Sequence, residues 1–156
     1  MRQIRRSALV AVGPQRMFEL INDVESYPQF VPGCTDARVL ERGENMLRAR
    51  LTVGSGLMRT SFVTRNLLRA PHAIEMELDE GPLRSLHGLW TLTPVTAGDV
   101  AGCRVELDLK FEVQGGLAGL AMGPVIERLA TSLVDAFVAR ARQSPGAATT
   151  PASREA

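Results

Sequence analysis

From Arg104 to Val113 the chain alternates strictly. Val105, Leu107, Leu109, Phe111 and Val113 are apolar, and the charged residues Arg104, Glu106, Asp108, Lys110 and Glu112 stand between them. Successive side chains on a strand point to opposite faces, so this pattern predicts a strand with one face on a core and one in water. The same period recurs upstream. Leu47, Ala49, Leu51 and Val53 alternate with Arg48, Arg50 and Thr52. A strand over 60–68 sets Phe62 on one face and Ser61 and Arg65, with the preceding Arg59, on the other. Ile74, Met76 and Leu78 alternate with Glu75, Glu77 and Asp79, and Leu86, Gly88, Trp90 and Leu92 share a face. Weaker patterns predict a first strand over 2–11, through Ile4, Ala8 and Val10, and a strand through Val39 and Leu40 before a turn at 42–45. Gly54-Ser55-Gly56, Pro71-His72, Gly81-Pro82, the loop 96–99 and Gly115-Gly116 punctuate the strands.

After Gly116 the period becomes helical. Ile126, Leu129, Ala130, Leu133, Ala136, Phe137 and Ala141 follow i, i+3, i+4 spacing, and Leu117, Leu120 and Ala121 extend the stripe upstream. Gly123-Pro124 predicts a kink or a restart in that helix. Near the other end, Gly13-Pro14 opens a short helix with Met17, Leu20 and Ile21 on one face. Asp23 is placed to cap a further turn through Glu25 and Ser26. Residues 27–32 hold Tyr27, Phe30 and two prolines and read as a stiff apolar loop. Residues 143–156 are Ala, Ser, Thr, Pro and Gly with little that can be buried, and a disordered tail is expected there.

One strand, short helices, six strands and a long helix make an α+β domain over 1–142. Short turns between consecutive strands imply an antiparallel sheet. Its apolar face must be covered, and the long amphipathic helix is the element able to cover it. A curved sheet wrapped around one helix is able to leave an apolar cavity between them. The inward candidates are Tyr27, Phe30, Val31, Phe62, Met76, Leu78, Trp90, Leu107, Leu109, Phe111, Leu120, Leu129, Leu133 and Phe137. Each taken singly is more often core packing than ligand contact, so the cavity is a property of the set.

Composition narrows the function classes. A chain of 156 residues that is 45% hydrophobic and 22% charged has the make-up of one globular domain. Its net charge of +1 gives no global field toward nucleic acid or membrane, so any such contact rests on a local patch. Cys34 and Cys103 are too few for a disulfide framework, and His72 and His87 show no metal-ligand spacing with either. No signal-peptide pattern precedes the first periodic segment, and no apolar run is long enough to span a bilayer, so a cytoplasmic location is expected. No Ser-His-Asp arrangement and no phosphate-cradling glycine loop is present, so no catalytic residue is assigned. By parity His87 points to solvent.

Four segments stand in a fixed order: Asp23-Val24-Glu25-Ser26-Tyr27-Pro28-Gln29-Phe30-Val31-Pro32-Gly33-Cys34, Ser61-Phe62-Val63-Thr64-Arg65-Asn66, Gly81-Pro82-Leu83-Arg84-Ser85-Leu86-His87-Gly88-Leu89-Trp90, and Leu133-Val134-Asp135-Ala136-Phe137-Val138-Ala139-Arg140-Ala141. Together they resemble the coenzyme-Q-binding, START-like family of the polyketide cyclase/dehydrase type, which also contains ribosome-association toxins. The resemblance runs from Gln3 to Arg142. It implies a helix-grip, Bet v 1-like fold and a non-catalytic role. The first role implied is binding of ubiquinone or another prenylated quinone between sheet and helix, as a carrier or chaperone supporting respiration. Each buried methylene of a prenyl tail contributes about 0.8 kcal/mol, so such a ligand needs few polar contacts. Contact with a membrane would be transient, and DNA is not an expected partner. The alternative implied role is binding to the large ribosomal subunit and blocking subunit association.

The chain departs from the family's usual pattern in carrying Gly33 where Trp is common and Leu83 where Phe is common. Cyclases of related fold would need a positioned polar group inside the cavity. Thr64, Asn66 and Tyr27 are the candidates, with ordinary strand or turn hydrogen bonds expected for Thr64 and Asn66. On the outer face, Arg59 and Arg65 are expected to form a ladder with Glu75, Glu77 and Asp79. Arg48 and Arg50 lie further from those acids and are the candidates for contact with RNA phosphates.

Overall fold

The computed structural model describes residues 1–55 and 58–143. Its elements are β1 (Arg2–Val10), α1 (Pro14–Asn22), a 3-10 helix (Val24–Gln29), β2 (Cys34–Arg42), β3 (Met46–Ser55), β4 (Met58–Arg69), β5 (Ala73–Glu80), β6 (Leu83–Ala97), β7 (Val100–Val113) and α2 (Gly116–Gln143). The seven strands form one antiparallel sheet in the order β1-β7-β6-β5-β4-β3-β2. Strands β2 to β7 pair with their sequence neighbours, while β1 crosses to the far side and pairs with β7. The chain is thus the expected curved sheet with α2 on its concave face. The expected tail beyond Gln143 and the Gly56 part of the β3–β4 break lie outside the described residues.

Four local expectations change. The segment 27–32 is not a free loop, because the 3-10 helix runs through Pro28 and ends at Gln29. It is pinned from inside, where the Tyr27 hydroxyl donates to the Ile21 carbonyl. Asp23 does not cap through its side chain; its carboxylate accepts the Ser26 hydroxyl at 2.6 Å instead. The stretch 96–99 is half strand, with Thr96 opposite Ala101 and Ala97 opposite Val100 around a Gly98-Asp99 turn. Both faces are exposed there, so the side-chain pattern lapses while the backbone ladder continues. Finally, α2 does not restart at Pro124. Met122 and Ile126, on either side, are buried against the same sheet and hold the helix across the missing N–H.

Packing centres on Phe137, which is fully buried. Tyr27, Phe30 and Trp90 present their rings to it edge-on, at centroid distances of 5.2, 5.4 and 5.5 Å. Such pairs contribute about 0.5–1.5 kcal/mol each beyond their buried area. One residue of α2 therefore joins the 3-10 helix to β6. A second clamp lies one turn on: the Arg140 guanidinium sits 5.0 Å above the Phe30 ring and donates to the Gln29 side-chain carbonyl at 3.1 Å. Arg2 and Arg6 of β1 reach Glu127 and Asp135 of α2 at 2.7 and 3.4 Å. These pairs are exposed and set alignment more than stability. Among the described residues, no helix is long and apolar enough to cross a membrane.

Removing the Phe137 ring would open the centre of this cluster. Phe137→Ala is expected to lower unfolding stability by about 3–5 kcal/mol, read as a shift in the urea midpoint. A loss well below that range would mean that Tyr27, Phe30 and Trp90 hold the 3-10 helix without it.

Candidate functional site: an apolar cavity and a basic outer face

Helix α2 lies closest to β1 and β7. It approaches β3, β4 and β5 less closely, and between it and those strands a cavity of ≈ 60 Å³ remains. Ala49 and Leu51 of β3, Phe62, Thr64 and Asn66 of β4, Met76 of β5, Leu86 of β6 and Leu109 of β7 form the sheet side. Ile126, Leu129, Ala130 and Leu133 of α2 form the roof, and Val24 and Tyr27 close one end. Gly88 sits under this wall. A side chain there would meet the ends of Met76 and Leu109, at 2.6 and 3.0 Å from its Cβ, and press both inward.

Of the fourteen expected inward residues, Tyr27, Phe62, Met76, Leu109, Leu129 and Leu133 line this cavity. Trp90, Leu107, Phe111 and Phe137 are solid core, exposed by at most 2%. Val31 is buried and Phe30 half-buried beside them, outside the lining. Leu78 is half-buried and packs against the core opposite Thr64, but it too lies outside the lining. Leu120 is a correction: it is 61% exposed. Leu117 is exposed as well, so the first turns of α2 hold these side chains away from the core, and among the described side chains the buried apolar stripe starts at Met122. Sequence reasoning left out Val24, Ala49, Leu51, Leu86, Ile126 and Ala130 as cavity residues. Alternation marked Ala49, Leu51 and Leu86 as inward and the helical stripe marked Ile126 and Ala130, while no pattern marked Val24; which inward residues meet a gap depends on where α2 lies.

Two polar side chains break the apolar lining. Thr64 and Asn66 are 5% and 7% exposed. The expected strand or turn hydrogen bonds are absent: among the described residues neither side chain has a partner, and Asn66 Oδ1 is buried without one. Their backbones are held in the β3–β4–β5 ladder, opposite Ala49 and Leu47 on one side and Leu78 and Met76 on the other. The ladder uses the main chain and leaves the side chains to the cavity. The Tyr27 hydroxyl, by contrast, is already committed to Ile21, and burial pushes its pKa far above the ordinary tyrosine range.

On the outer face the expected charge ladder is rearranged. Arg48, not Arg59 or Arg65, makes the ion pairs, reaching Asp79 and Glu80, each at 2.5 Å. The cause is an irregularity in β5. Val63 faces Glu80 and Thr64 faces Leu78, so Asp79 is left without a partner residue. A bulge of this kind disrupts strict alternation, and two consecutive acids come within reach of one guanidinium. Arg48 is thereby withdrawn from the candidates for a free RNA contact. Arg65 opposes Glu77 in register and adds to the positive field at Asp79. Arg50 has no ion pair among the described residues, and it stands directly opposite Arg38 on β2. Like charges facing across strands are destabilising. Arg38 is partly relieved by Asp36 at 3.5 Å.

His87 is on the outer face, as its parity predicts, 3.3 Å from Glu75. Cys34 and Cys103 are free and buried, and burial pushes both thiols up.

A curved seven-stranded antiparallel sheet closed by one C-terminal helix over an apolar cavity defines the START/Bet v 1-like class of domain. The Zhui aromatase/cyclase from Streptomyces sp. R1128 has this fold, with a TM-score of 0.76 at 18% identity over 92% of this chain and 96% of its own. Residues 10–138 match the family described as polyketide cyclase / dehydrase and lipid transport, and the chain belongs to that family. Within it, the ribosome association toxin RatA of Pseudomonas aeruginosa is 42% identical over 143 residues, covering 92% of this chain and 97% of its own. The mitochondrial coenzyme Q-binding protein of Schizosaccharomyces pombe is more distant, 30% identical over 144 residues, covering 88% of this chain and 85% of its own.

The Arg48 pair makes a pH test. Its hydrogen bond and charge hold the Asp79 carboxyl below the ordinary carboxylate range. A lowered folded pKa stabilises the fold above the unfolded value, about 4 for Asp, and that contribution fades as pH falls through the folded value. The urea-midpoint difference between wild type and Asp79→Asn should therefore be largest near neutrality and shrink below about pH 4. A difference that is flat down to strong acid would mean that the pair contributes nothing to folding.

Proposed function

We propose that this protein is a ribosome-association factor that binds the large ribosomal subunit and hinders its joining to the small one. The observation that carries the reading is near full-length similarity to RatA at 42% identity. The outer sheet face supplies a physical means. Arg38 and Arg50 face each other across β2 and β3, Arg50 lacks an acidic partner among the described residues, and Arg65 flanks them on β4. A guanidinium pair held on a rigid sheet and short of acid partners suits RNA phosphates, which relieve its repulsion. On this reading the protein acts in the cytoplasm and needs no catalytic residue.

A second reading is supported by the cavity and by the coenzyme Q-binding relative. Here the protein holds ubiquinone or another prenylated quinone as a carrier. The lining is uncharged and mostly apolar. A space of ≈ 60 Å³ is small beside the ~300–1,000 Å³ of ordinary ligand pockets, so loading requires α2 or the 3-10 helix to move outward. That requirement places this reading second.

Gradient sedimentation of ribosomes with added protein separates the two. Co-migration with the large subunit and loss of joined particles are expected. Arg38→Glu with Arg50→Glu should weaken co-migration roughly tenfold or more and flatten its salt dependence, with an unchanged unfolding midpoint. Joined particles left intact, with no protein on the large subunit, would remove the first reading. For the second, protein stripped with organic solvent and reloaded with ubiquinone should bind it saturably, and a crosslink between the 3-10 helix and α2 should block loading. Linear, non-saturating uptake would remove it.

A further inference from the structure

The cavity contains one polar feature that its fold does not use. Asn66 carries a carbonyl oxygen, Oδ1, buried with no hydrogen-bond partner, and the hydroxyl of the buried Thr64, two residues away, makes no hydrogen bond among the described residues. Both belong to the cavity wall, on the same face of β4. An unmet acceptor in an apolar site is a standing cost to folding that an apolar residue of the same size would remove. The rest of the wall is apolar or committed: Tyr27, which supplies the third polar side chain, already donates its hydroxyl to Ile21.

We infer that the cavity recognises an apolar molecule bearing one neutral hydroxyl head, a phenol or alcohol, which donates to Asn66 Oδ1 and accepts from Thr64 or the Asn66 amide. This deepens the second, ligand-binding reading and rests on it. Three features select the head. The orphaned atom is an acceptor, so it calls for a donor, and a hydroxyl is the smallest group that both donates and accepts. No lining residue carries a charge, so a carboxylate head would be desolvated with no counter-ion. The remaining wall, from Leu51 and Phe62 to Leu129 and Leu133, offers only apolar contact to the rest of the molecule. For a quinone-type ligand this chemistry favours the reduced, hydroxyl-bearing form over the oxidised one.

The test uses the full chain and three small probes: benzyl alcohol, ethylbenzene, in which a methyl replaces the hydroxyl, and benzoate. Amide NMR titrations give each affinity for wild type, Asn66→Leu and Thr64→Val. Wild type should bind both neutral probes and not benzoate. Asn66→Leu should weaken benzyl alcohol relative to ethylbenzene about tenfold, or about 1.4 kcal/mol, and should melt higher than wild type. Thr64→Val should shift the same ratio in the same direction, which keeps the test intact if the first variant folds poorly. An unchanged ratio in both variants, with both neutral probes still bound, overturns the inference and leaves the apolar-ligand reading standing. That is also the result if Asn66 serves only to hold an internal water. Failure of wild type to bind either neutral probe overturns both. Tight binding of benzoate overturns the choice of a neutral head.

Discussion

The structure depends on how one helix covers one sheet. A half-apolar antiparallel sheet has to bury its inner face, and α2 is the element long enough to do so. Phe137 fixes where it sits. By drawing Tyr27, Phe30 and Trp90 into edge-on contact, it joins the 3-10 helix, α2 and β6 at a single buried point. With Arg2 and Arg6 aligning β1 on Glu127 and Asp135, the helix is held toward the β1–β7 edge. The cavity over β3, β4 and β5 follows from that placement.

The two faces of the sheet thus offer two chemistries from one set of strands. On β3, Ala49 and Leu51 line the cavity while Arg48 and Arg50 face water. On β4, Thr64 and Asn66 point inward and Arg65 outward. The outer face carries electrostatics that suit a polyanion, and the inner face a small apolar space with an unused hydrogen-bond acceptor. Each can be altered without touching the other, since neighbouring residues on a strand face opposite ways. A family that combines ribosome-association and coenzyme Q-binding relatives is consistent with that independence.

Much of this was legible in the residues. Strict alternation in 104–113 and the helical stripe from Ile126 to Ala141 identify the sheet, its inner face and its cover. The site was legible only in part. Leu129 and Leu133 meet the gap, whereas Phe137, one turn further on, is solid core, and nothing in their spacing separates them. Leu120 fits the stripe but is exposed. Asn66 reads as an ordinary strand residue until its neighbours are seen to offer it no partner.

The sequence by itself determined which face of each strand is apolar, where the turns fall and that one helix must close the sheet. Those are matters of local period and turn chemistry, and they require no knowledge of distant contacts. Tertiary structure alone decided three things. The lean of α2 selects which inward residues border a cavity. The irregular end of β5 brings Asp79 and Glu80 to Arg48 in place of the ladder that strict alternation implies. Strand register puts Arg38 opposite Arg50. Each depends on side chains far apart in the chain sharing one volume, and alternation records direction without recording who stands opposite.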